Sequence, residues 1–108
     1  MNPGKNGNLR VWLEQAAGDE AIEAVSIGNA WGEPNPYAGR LLSWEDAGPL
    51  LDVDFDDVIG CAGCPPVTAW TATRVLFVHE YDGATGLRSL PRNPSAAHRP
   101  EFDGTGEP

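Results

Sequence analysis

Between Val67 and Leu90 the chain is written almost wholly in strand chemistry, and this stretch constrains the fold more than any other. Val67 to Trp70 (VTAW) and Arg74 to Tyr81 (RVLFVHEY) are rich in β-branched and aromatic residues and are joined by the short link Thr71-Ala72-Thr73. Such runs fit a pleated, half-buried surface. Asp82-Gly83-Ala84-Thr85-Gly86 supplies turn chemistry, after which Leu87 to Leu90 returns, so a three-stranded antiparallel meander is expected.

The remaining segments are read against that meander. Leu9, Val11 and Leu13 alternate with Arg10 and Glu14, the period of a strand, and Ala16-Ala17-Gly18-Asp19 turns the chain into Ala21–Ile27 as a returning strand. A helix over the latter, capped by Asp19 and stopped by Gly28, is the competing reading. Gly28 to Gly39 holds several Gly and Pro and is expected to be a long ordered loop, pinned to the core by Trp31 and Tyr37. Ser43-Trp44-Glu45-Asp46 has a helix start's N-cap and first-turn acids, with Pro49 limiting its length. The four tryptophans (Trp12, Trp31, Trp44 and Trp70) are expected to fill a core short of other bulky residues. The expectation is an α+β fold: a small antiparallel sheet of four to five strands, one short helix over residues 43–51, and a disordered C-terminal tail.

With 108 residues the chain falls within the size of one domain. Residues 1–8 read as a flexible N-terminus and 9–90 as a single α+β domain. Residues 91–108, with four prolines after Pro91 is counted and Phe102 as the one large apolar side chain, read as a disordered tail. No apolar run reaches the roughly 20 residues of a membrane span, and the first ten residues lack the apolar region of a signal peptide. A cytoplasmic location is therefore expected.

Sixteen acidic residues against seven basic ones give a formal net charge of −9, which repels phosphate backbones and anionic headgroups. Direct nucleic-acid or membrane binding is thereby disfavoured. No Lys or Arg occurs between Arg40 and Arg74, while that interval carries Glu45, Asp46, Asp52, Asp54, Asp56 and Asp57. Strict alternation in 52–56 would set Val53 and Phe55 on one face and the carboxylates on the other, about 6.6 Å apart. Such a row suits a basic protein partner. The expected function is that of a small acidic protein-binding module, of the type that inhibits a basic nucleic-acid-binding enzyme by mimicking its ligand. The bland reading is a face that only keeps the domain soluble.

Other motifs are incomplete. Cys61-Ala62-Gly63-Cys64 is a C-x-x-C turn, but a tetrahedral zinc site needs four ligands, and His79 and His98 are the other soft candidates. Pro65-Pro66 follows the motif where a thioredoxin-like site would open a helix. Asp52-x-Asp54-x-Asp56-Asp57 departs from a calcium loop, with Asp57 where Gly belongs and Gly63 where Glu belongs. His79-Glu80 fails as a metalloprotease motif because Gly83 stands where the second His is required. The alternative to a binding module is a small enzyme using His79, Glu80 and Asp82, or a zinc protein using Cys61, Cys64 and His79. No cofactor is indicated.

Ala69-Trp70-Thr71-Ala72-Thr73-Arg74-Val75, Tyr81-Asp82-Gly83 and Ser89-Leu90-Pro91-Arg92-Asn93-Pro94 together resemble short uncharacterised proteins of actinobacteria and their phages, over residues 20–94. The resemblance implies a compact protein of mobile-element type and assigns no activity or site.

Overall fold

The meander is present in the computed structural model, which describes residues 7–29, 36–55, 64–81, 84–100 and 106–107. Val67–Trp70 (β4), Arg74–Tyr81 (β5) and Ala84–Pro91 (β6) are consecutive antiparallel neighbours, and Ala24–Ile27 (β2) completes a four-stranded sheet in the order β2-β4-β5-β6. Val25 faces Ala69, Ala69 faces Leu76 and Leu76 faces Ser89 across the sheet. Alternation therefore puts Val25, Ile27, Val67, Ala69 and Leu76 on one face, where all are buried. Trp70, Val75, Phe77 and Leu90 belong to the opposite face and are only half-buried.

Two helices cover the buried face. Leu9–Ala17 (α1) contributes Leu9 and Leu13, and Trp44–Leu51 (α2) contributes Ala47 and Leu51, to one cluster with the sheet residues and Phe55. Helix α2 starts where Ser43 and the acids indicate: the Ser43 hydroxyl accepts a hydrogen bond from the Asp46 N–H at 3.1 Å. Pro49 lies within the helix, which ends two residues later at Leu51.

Helix α1 corrects the expected first strand. Leu9, Val11 and Leu13 do alternate, yet Val11 is exposed while Leu9 and Leu13, one helical turn apart, are buried and Trp12 packs beside them. The deciding residue is Asn8, whose side-chain oxygen accepts from the Val11 N–H at 3.1 Å and so caps the helix. Gly18 closes it at φ +60°, donating to the Glu14 carbonyl. Ala24–Ile27 is a strand, as the Ala21–Ile27 reading requires, but it pairs with β4 and makes no hairpin with residues 9–14.

Gly7–Asn8 (β1), at the end of the expected flexible start, pairs with Asp54–Phe55 (β3). The Phe55 ring lies so close over Gly7 that a Cβ there would stand 2.6 Å from it. Phe55 is buried and meets Trp12 edge-on at 5.3 Å, whereas Val53 is 55% exposed, so the two do not share a core face as alternation suggested. The chain turns at Asp52 (φ −86°, ψ 68°), where the Val53 N–H bonds to the Leu51 carbonyl, and the strand geometry starts only at Asp54. Trp12 and Trp44 pack against the core from its margin, and Trp31 lies outside the described residues. Tyr37, expected to pin its loop, is 36% exposed.

Within the stretch expected to be disordered, Arg99–Pro100 (β7) pairs antiparallel with Gly106–Glu107 (β8). A polar clasp ties the sheet's end together: Glu20 accepts from the Thr73 N–H and hydroxyl, and Arg92 donates to Glu23 and to the Thr71 carbonyl. No helix among the described residues is long and apolar enough to cross a membrane.

Candidate functional site

Asn8 organises the acidic surface. Its amide oxygen is spent on the helix cap, so the amide nitrogen faces the other way and donates to Asp52 at 3.0 Å and to Asp54 at 2.9 Å. One amide thus holds the carboxylates from either side of Val53 together. Without that donor they would repel each other, at roughly 1 kcal/mol for unit charges 4 Å apart in water. Arg10 adds partial compensation, lying 3.8 Å from Asp52 and 3.5 Å from Glu14. These pairs are exposed, so each contributes little to stability.

Glu45 and Asp46 are exposed at the opposite end of α2, about 10 Å away along the helix axis. They favour the helix dipole there. Arg10 reaches the flank of α2 beside Gly48, 3.5 Å from where a Cβ would sit. The surface carries one carboxylate pair at each end of α2, with the Arg10 guanidinium beside Asp52, and the even row drawn from alternation does not form over 52–54. Asp56 and Asp57 lie outside the described residues. Leu50, 40% exposed, and Val53 add apolar surface next to Asp52 and Asp54.

The enzyme candidates are spread apart. His79 pairs with Gly86 and Glu80 with Thr85, and successive strand residues point to opposite faces, so β5 sends the two side chains to opposite sides of the sheet. Asp82 lies outside the described residues, as does Cys61. Cys64 is disulfide-bonded, and a disulfide sulfur has no thiolate to offer zinc. No group of three or more His, Cys, Asp or Glu suited to a metal ion occurs among the described residues.

The Glu20 carboxyl is perturbed by its surroundings. Hydrogen bonds from the Thr71 and Thr73 side chains, with the Thr73 N–H and the Arg74 charge, hold it below the ordinary carboxylate range. It clasps loop to turn and touches none of the candidate site residues.

Sequence reasoning missed Asn8 and Arg10, the two residues that arrange the carboxylates. A signal for the first existed: Asn immediately before Leu9, Trp12 and Leu13, which recur at helical spacing, is an N-cap signature. No protein-family model matches the chain, and neither the curated proteins nor the solved structures provide a match.

Proposed function

We propose that the protein acts by binding a basic protein through the surface that carries Asp52, Asp54, Glu45 and Asp46, with Leu50 and Val53 as its apolar centre. The observation that carries this reading is the exposed Val53 flanked by two carboxylates that Asn8 draws together. Protein interfaces combine an apolar centre with a polar rim, and complementary charge raises the rate and selectivity of encounter. A net charge of −9 supplies long-range attraction to a positive surface. A groove built to hold nucleic-acid phosphates is the partner surface that fits this charge, and its occupation would inhibit the enzyme that carries it.

Capture from a host lysate with the tagged chain tests this, using Asp52→Asn/Asp54→Asn and Val53→Ser variants in parallel. Asn retains an oxygen that accepts from Asn8, so the first variant removes charge and leaves the local hydrogen bonds available. The expected result is a basic protein whose capture weakens in both variants and falls steeply between low and physiological salt. Capture indifferent to salt and to both variants would refute the proposal.

A further inference from the structure

Beyond the sheet's last strand the chain builds an open cavity of about 440 Å³, within the roughly 300–1,000 Å³ range of small-molecule sites. Leu90, Pro91 and Pro94 give it an apolar wall, and Arg92, Asn93 and His98 give it polar groups. Both sides are held in place. Arg92 is anchored through its N–H to Thr73 and through Nη1 to Glu23 and the Thr71 carbonyl. The 95–98 turn is closed by the His98 N–H on the Ser95 carbonyl and by the Ala97 N–H on the Ser95 hydroxyl. The Arg99 guanidinium then gathers the Ala96, Ala97 and His98 carbonyls.

Two features point to a ligand. The His98 side chain lines the cavity, and its Nδ1 is buried with no hydrogen-bond partner among the described residues. Among the described residues that line this cavity there is no carboxylate, while there are an arginine, whose Nη1 already holds Glu23, and a histidine. Arg92 Nε and Nη2 and the Asn93 amide make no hydrogen bond among the described residues and remain available as donors.

We propose that this cavity binds a small organic carboxylate, its oxygens taken by Arg92, Asn93 and the His98 Nδ1–H, and its apolar body lying against Leu90, Pro91 and Pro94. A carboxylate matches donors that converge beside an apolar wall, whereas a fully hydrated inorganic anion would leave that wall unused.

The test is titration of the full chain with benzoate, followed by the NMR signals of the His98 ring and the Asn93 amide, with acetate and inorganic phosphate as comparisons. Saturable shifts with benzoate are expected, with acetate weaker and phosphate weakest. His98→Ala and Asn93→Ala should each weaken benzoate binding about tenfold, the loss of one hydrogen bond to a charged group. Neither residue belongs to the sheet, so unchanged amide signals from β4 and β5 will show that the variants fold. Absence of saturation, benzoate affinity unaltered in both variants, or phosphate binding as tight as benzoate would overturn the proposal.

Discussion

Replacing Asn8 separates two jobs that one side chain performs. In Asn8→Ala the helix cap and both bonds to Asp52 and Asp54 disappear. The cap accounts for about 1 kcal/mol, and the exposed bonds to carboxylates for about 0.5 kcal/mol each after discounting for solvent, giving a loss of about 2 kcal/mol. For a domain of this size that corresponds to a fall in Tm of roughly 8–16 °C. In Asn8→Asp the cap survives, because Asp accepts from the Val11 N–H as well as Asn does. The donor is gone, however, and a third carboxylate now faces Asp52 and Asp54, adding repulsion of about 1 kcal/mol per neighbour at low salt. Asn8→Asp should therefore be at least as destabilising as Asn8→Ala in low salt, and should recover by about 1 kcal/mol or more near 1 M salt, where the screening length is about 3 Å. Urea unfolding followed by circular dichroism at both salt concentrations measures this. An Asn8→Asp variant as stable as the parent at low salt would refute the assignment of Asn8 as the donor that holds the carboxylates together.

Leu13 is fully buried between the helices and the sheet, so Leu13→Ala should cost about 2–5 kcal/mol in urea unfolding. Gly7→Ala would push a methyl group into the Phe55 ring and should destabilise by about 1–3 kcal/mol, an effect that Phe55→Leu in the same chain should partly relieve. The Glu20 carboxyl is held below its ordinary range in the folded chain, so its contribution to stability is present above the unfolded-state value and is lost as pH falls through the folded one. Glu20→Gln should flatten the dependence of Tm on pH in that acidic window and leave it unchanged above neutrality; an identical acid limb in the variant would remove Glu20 from the account.

The sheet was legible because its signal is local and redundant. Each of β4, β5 and β6 carries its own β-branched or apolar alternation, and the turns between them are short. Helix α2 was legible for a similar reason, since Ser43 and two acids mark its start. Helix α1 was not: Leu9, Val11 and Leu13 satisfy a period of two as well as Leu9, Trp12 and Leu13 satisfy a helical one, and the arbiter is the single Asn8 cap. The acidic surface was half legible. Composition located Asp52 and Asp54, but contacts spanning 44 and 46 residues bring them to Asn8, and no local pattern encodes such a contact. The exposure of Val53 also follows from the turn after α2, which breaks the alternation that placed it in the core.

Amide hydrogen exchange on the complex with the captured basic protein tests the central claim most directly, because it reads the interface without altering a residue. Slowed exchange is expected over residues 44–54 and at Asn8 to Val11, with little change on β4 and β5. Protection concentrated on the Trp70, Val75 and Phe77 face of the sheet, with residues 44–54 exchanging as in the free chain, would contradict it.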